Sequence, residues 1–189
     1  MRRILTSRAL FGVLVVVAGA NLVMFALERY VATPLRVPGR SMTPELHPGD
    51  RILAAPLRGS ATHVAGDLQR GDIVVFHAPE PGAPLVVKRV IGLPGEQIEA
   101  RDGLIAIDNS NVLDEWWLPA SRRSRDSAAA RSVDIDRTRL AADEVYVLGD
   151  NRLHSIDSRS YGAIDADRIV GRVRWRIWPL TRSGTVGPA

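Results

Sequence analysis

Cysteine is absent from the 189 residues. That excludes disulfides, zinc–thiolate sites and a cysteine nucleophile, and leaves the redox compartment unread. Histidine is scarce: only His47, His63, His77 and His154. No two of them have ligand spacing, and Asp108-Asn109-Ser110-Asn111 lacks the glycine and spacing of a calcium loop, so no metal is expected. His154 precedes Ser155 and Asp157, but neighbours on one loop seldom converge as a Ser-His-Asp triad. No helix-turn-helix, zinc-finger or RNA-motif signature is present, and nucleic acid is not an expected partner. Lysine is nearly missing as well. Of 25 Lys and Arg residues, only Lys88 is a lysine. Arginine stays protonated at any pH a protein survives, whereas a desolvated lysine can lose its proton. Two readings of the lone lysine stand at this point: compositional drift toward arginine, or a position that needs an amine able to act as a base.

What is present begins with a segment of distinctive charge and hydropathy. Arg2, Arg3 and Arg8 precede an apolar run from Ala9 to Leu27, interrupted only by Asn21. A helix of that length rises roughly 28 Å, close to the hydrocarbon thickness of a bilayer. Ala18-Gly19-Ala20 has the small-x-small form of a cleavage site, which would suit a removed signal peptide. The apolar run continues past it to Leu27, which favours a retained transmembrane anchor. The arginines then place residues 1–30 with the N-terminus in the cytoplasm and the rest of the chain outside.

After Tyr30 no long helical period appears. Short apolar runs alternate with Pro and Gly, as expected of strands bounded by turns. Ile73–Phe76, Leu85–Ile91, Val145–Leu148 and Ile169–Trp178 read as strands. In the last, Val173, Trp175 and Ile177 share one face, and Arg172, Arg174 and Arg176 the other. Arg101-Asp102-Gly103 reads as a hairpin turn between two more strands. Ser121 to Ser132, rich in Ser, Arg and Ala, reads as an exposed loop. The expectation is a mainly-β domain over residues 31–180, with a loose tail over 181–189.

Three segments carry chemistry. Pro38-Gly39-Arg40-Ser41-Met42-Thr43-Pro44 holds a serine in a stiff turn, which can present a hydroxyl but is more often structural. In Leu85-Val86-Val87-Lys88-Arg89-Val90-Ile91, strand alternation puts Lys88 on a face with Val86 and Val90. An amine on an apolar face loses hydration, which lowers its pKa; alternatively, such a lysine snorkels to the edge or pairs with a carboxylate. Gly149 to Gly162 is a run of small, polar and charged residues after a strand, the composition of a hydrogen-bonded functional loop.

Together these segments resemble the bacterial type I signal peptidases, membrane-anchored serine peptidases that remove signal peptides. Ser41-Met42-Thr43-Pro44 is similar to that family's nucleophile box, Gly71–Phe76 to its next strand box, Val87–Glu96 to its lysine box and Gly149–Gly162 to its last box. The resemblance implies packed antiparallel sheets behind one N-terminal transmembrane helix. It implies Ser41 as nucleophile and Lys88 as general base, a convergent variant of triad logic. Ser155 would hold the lysine amine, Asp157 and Arg159 would form a supporting ion pair, and Asp150 would assist there. Gly39, Met42 and Val86 would lie at the oxyanion and substrate side, without cofactor or metal. Gly39 stands where many members carry a hydroxyl, and Pro44-Glu45-Leu46 departs from the usual Pro-Thr-Leu. Exported preproteins and the lipid bilayer are the implied partners. A peptidase dedicated to one precursor, and a non-catalytic peptide-binding domain, are the rival readings.

Overall fold

A computed structural model describes residues 12–19, 21, 33–82, 84–109, 111–112 and 134–187. The chain divides into two compact units, residues 1–32 and 33–189. In the first, residues 12–19 are helical. Most of the expected anchor lies outside the described residues, and among these no helix is long and apolar enough to cross a membrane. The expected loop from Ser121 to Ser132 also lies outside them.

The second unit is mainly β. Its strands are β1 (Thr33–Arg36), β2 (Arg51–Pro56), β3 (Ile73–His77), β4 (Leu85–Gly92), β5 (Gln97–Arg101), β6 (Leu104–Ile107), β7 (Asn111–Val112), β8 (Ile135–Arg139), β9 (Glu144–Leu148), β10 (Ile164–Asp165), β11 (Ile169–Trp178) and β12 (Gly184–Thr185). The larger sheet runs β1-β2-β11-β3-β4-β9-β10, with β12 added to β11, and the smaller runs β7-β6-β5-β8. Every pairing is antiparallel. Two short helices interrupt the strands, α1 (Ala61–Gly66) and α2 (Ser158–Tyr161).

The central strands show why the apolar runs are continuous rather than alternating. In β3, Val74 and Phe76 enter one core cluster while Ile73 and Val75 enter another. A strand covered on both faces has no polar side to display. The β5–β6 hairpin turns through Asp102 and Gly103, both at positive φ (51° and 77°). This is the two-residue turn whose twist matches that of the strands, and glycine supplies the second position without strain.

One strand face is mixed in burial, and one expectation needs correction. The apolar face of β11 is only partly inward. Val173 is buried, but Trp175 is 46% exposed and Ile177 and Trp178 are exposed beyond it. Register shifts against β2 between Val173 and Trp175, and again between Arg176 and Trp178, re-aim these side chains. Nor are the described residues of the tail, up to 187, loose. Residues 180–182 form a turn, β12 pairs with β11, and Val186 is buried beside Val37, Met42 and Leu46.

Candidate active site

Lys88 sits on β4 opposite Val74 of β3, and that face belongs to the core cluster of Val74, Phe76 and Val90, with Val86 packed against it. The lysine is 4% exposed. Burial lowers its pKa from the ordinary lysine value; the Asp157 charge works in the opposite direction, and Arg159 lowers it further. Its Nζ stands 2.9 Å from Ser41 Oγ and donates also to the Val87 carbonyl at 3.2 Å. Thus the amine read from the sequence as desolvated is desolvated, and its partner is the serine of the Pro/Gly turn.

The turn itself is held from the loop that follows β9. Asn151 N–H donates to the Ser41 carbonyl at 2.9 Å. Its side-chain amide donates to the Arg40 carbonyl and to Thr43 Oγ1, at 3.2 and 3.0 Å. One asparagine therefore grips the backbone on both sides of the nucleophile candidate. The residue before it, Asp150, forms a two-bond pair with Arg89, each bond 2.8 Å, with both side chains 1% exposed. Arg89 follows Lys88 on the strand and so points to the opposite side. It also donates to the Gly71 carbonyl at 2.8 Å.

Asp157 and Arg159 form the expected ion pair, with bonds of 2.7 and 2.8 Å. The Asp157 carboxylate also accepts the Gly149 N–H at 3.0 Å and caps α2 through Arg159 N–H. Burial acts to raise its pKa, but the Arg159 guanidinium and the Gly149 N–H outweigh it, so the carboxyl is held below its ordinary value. Arg159 reaches on to the carbonyls of Arg152 and Ser155, shaping the loop as one hydrogen-bonded unit.

Val37, Pro38, Gly39, Ser41, Met42, Val86, Val87 and Lys88 line a mostly apolar cleft of about 180 Å³. It is smaller than a drug-sized site and suits a small side chain. A Cβ built on Gly39 would meet nothing within 4 Å, so packing does not require glycine there. A larger polar cavity, about 280 Å³ and bounded by Asp134, Asp136, Tyr146 and Arg159, includes neither Ser41 nor Lys88.

The model of one protein family, "Signal peptidase, peptidase S26", matches residues 10–178. The chain belongs to the signal peptidase family. Among its relatives, signal peptidase IB of Staphylococcus aureus (strain N315) is 33% identical over 174 residues, 87% of each chain. Signal peptidase I of Bacillus caldolyticus is 33% identical over 165 residues, 85% of each. A crystal structure of a signal peptidase I from Enterococcus faecalis V583 is 32% identical, covering 56% of this chain and 96% of that one, with a TM-score of 0.44.

Against the family pattern, Ser155 behaves differently from expectation. Ser155 does not bond Lys88: its buried Oγ meets no full hydrogen-bond geometry among the described residues, but it lies toward the Asp157 carboxylate and helps hold that pKa down. The lysine's contacts go to Ser41 and Val87 instead, and the Ser155 side chain packs against Gly149. Asp150 serves the loop through Arg89 rather than through the Asp157–Arg159 pair. Sequence reasoning missed Arg89 and Asn151. The signal for Arg89 was available: an arginine on a strand buried on both faces requires a carboxylate. The histidine alternative finds no support: the hydrogen-bond partner of Ser41 Oγ is Lys88 Nζ, and the contact of His154 Nδ1 is to Asn151 Oδ1 at 3.3 Å.

Gly149 is required by close approach rather than by backbone conformation. A Cβ there would stand 2.2 Å from Ser155 Oγ, 2.6 Å from Ser155 Cβ and 2.6 Å from the Ser41 carbonyl oxygen. Gly149→Ala must therefore push the Ser41 turn or the Ser155 side chain. The expected result is a kcat lower by about 10²-fold, the size of effect that follows a ~1 Å misplacement, in a protein that still folds. Steady-state kinetics beside a circular-dichroism melt checks this; parental kcat would show that the turn has slack.

Proposed function

We propose that the chain is a membrane-anchored serine endopeptidase that removes signal peptides from exported preproteins, with Ser41 as nucleophile and Lys88 as general base. Membership of the signal peptidase family supports the reaction class and the substrate class. The observation that carries the site assignment is the 2.9 Å contact between a serine hydroxyl and an amine whose pKa burial has lowered.

The chemistry follows from that contact. The neutral amine accepts the Ser41 proton as Oγ attacks the scissile carbonyl. The oxyanion forms beside the Ser41 N–H, in the open space next to Gly39. The resulting ammonium then protonates the leaving amine, and the regenerated amine activates the water that releases the acyl group. Ser155, whose Oγ is buried in the same loop, is the hydroxyl assigned to receive the lysine during this cycle. Asp157 and Arg159 hold that loop, and Asp150 holds its start through Arg89.

Among the described residues, β4 pairs with β9 only from Arg89 onward, so Leu85 to Lys88 present a strand edge on that side. A substrate backbone adding there would bring its carbonyl to Ser41, and the small cleft at Met42 and Val86 would admit an alanine-sized side chain. The apolar run Ala9–Leu27 serves as anchor, N-terminus inward, with the peptidase domain outside. Trp175, Ile177, Trp178 and Leu180 are exposed and suit a bilayer surface.

The pH profile tests the base. Only the neutral amine takes the proton, and its fraction rises with pH. Because burial lowers the Lys88 pKa, kcat/KM should rise with a midpoint below the 10.5 of an ordinary lysine and then level off. Hydrolysis of a preprotein peptide across pH measures it. A profile that shows no rise at any pH below 10.5 removes Lys88 from the base role.

A further inference from the structure

The family match ends at residue 178, yet the chain beyond it is bound closely to the segment that carries Ser41. That segment is a closed loop: Val37 N–H donates to the Asp50 carbonyl at 2.8 Å and Gly49 N–H to the Val37 carbonyl at 2.9 Å. Asp50 is the point of closure. Its buried carboxylate accepts the His47 N–H at 2.9 Å.

The same carboxylate is gripped from the C-terminus. Arg182 Nη2 donates to Asp50 Oδ1 at 2.7 Å and Nη1 to Oδ2 at 3.2 Å, while Nη1 also lies 2.9 Å from His47 Nδ1. Arg176 joins the two parts, donating to the Glu45 carbonyl at 2.6 Å and to the Arg182 carbonyl. Val186 then enters the core cluster of Val37, Met42 and Leu46. Hydrogen bonds and apolar packing from residues past the family match thus converge on one loop, on residues 37–50.

We infer that residues 179–187 form a strap that positions the nucleophile loop, with Arg182 as a positioning residue acting on Ser41 through Asp50. This rests on the assignment of Ser41 as nucleophile. Neither Arg182 nor Asp50 bonds Ser41, so the effect passes through the loop's shape. A buried carboxylate needs its charge matched. Arg176 Nη1 also stands 4.0 Å from Asp50 Oδ2, but only Arg182 donates two hydrogen bonds to the carboxylate; without them Asp50 shifts toward Arg176 and the closure at Val37 relaxes. The Ser41–Lys88 contact, set at 2.9 Å, then loses its geometry.

The test uses the full chain in detergent and a preprotein peptide, at a temperature well below the melt. Arg182→Ala should lower kcat about tenfold, a fraction of what a full ångström of misplacement costs. KM should stay within twofold and the pH midpoint should not move. Arg182→Lys, which keeps the charge, should recover most of the loss. Asp50→Asn, of the same size, should reproduce the Arg182→Ala result from the other end and serves if Arg182→Ala does not fold. A kcat within twofold of the parent in either folded variant, or a loss confined to KM, overturns the strap. Ser41→Ala separates the two readings: if it is inactive while Arg182→Ala and Asp50→Asn are unimpaired, only the strap fails. If Ser41→Ala remains active, the nucleophile assignment fails first.

Discussion

Lys88→Arg is expected to abolish preprotein cleavage, lowering kcat by about 10³-fold or more. Arginine preserves the positive charge and has length enough to reach Ser41, so a merely electrostatic role would survive the change. It cannot accept a proton at any pH the protein tolerates. The position is demanding in a second way. The side chain leaves the strand on the face of Val74, Val86 and Val90 and is buried there, where desolvation lowers the pKa of a lysine but leaves a guanidinium charged. Lys88→Ala and Ser41→Ala should lose activity to the same depth, and the double variant should be no worse, because groups that act as a unit are not additive. Single-turnover cleavage, with a thermal melt to establish folding, reads all four proteins. A folded Lys88→Arg enzyme within tenfold of the parent rules out proton transfer by this residue.

How far the sequence led can be seen residue by residue. Lys88 was legible because a single lysine among 24 arginines invited a chemical reason, and strand alternation put it on an apolar face. The runs that became β3, β4, β9 and β11 were legible because continuous or alternating apolar residues ended at turn residues. Partners were harder. Alternation gives the face of Arg89 but not the residue facing it, and Asp150 lies 61 positions away. The tail misled for a related reason. Thr181 to Gly187 has the small, polar composition of a loose end, while the contacts that fix it come from Asp50 and from the backbone of β11. Ser155 shows the limit of carrying a role across a family: the hydroxyl lies in the right loop, but its bond to the lysine is not made.

The Arg89–Asp150 pair is where folding stability and the site meet. Asp150→Ala is expected to cost about 3–5 kcal/mol, the range found when one partner of a buried ion pair is removed. The reason is asymmetry. Both side chains are 1% exposed and joined by two bonds of 2.8 Å. Removing the carboxylate takes the counter-charge from a guanidinium that stays in the core, whereas replacing both residues removes the need for it. Arg89→Met with Asp150→Leu should therefore recover much of the loss. The exposed Arg101–Asp136 pair supplies the contrast: Asp136→Ala should leave the melt close to the parent, because water already solvates both charges. Urea unfolding of the full chain measures each. Asp150 also stands between Gly149, which has no room for a side chain, and Asn151, which grips the Ser41 turn. A destabilised Asp150→Ala protein should accordingly lose kcat even at temperatures where it remains folded, and the Met/Leu variant should regain stability before it regains rate. If Asp150→Ala unfolds at the parental urea midpoint, the pair does not hold the loop, and the placement of Ser41 must then come from Asn151 and the C-terminal strap alone.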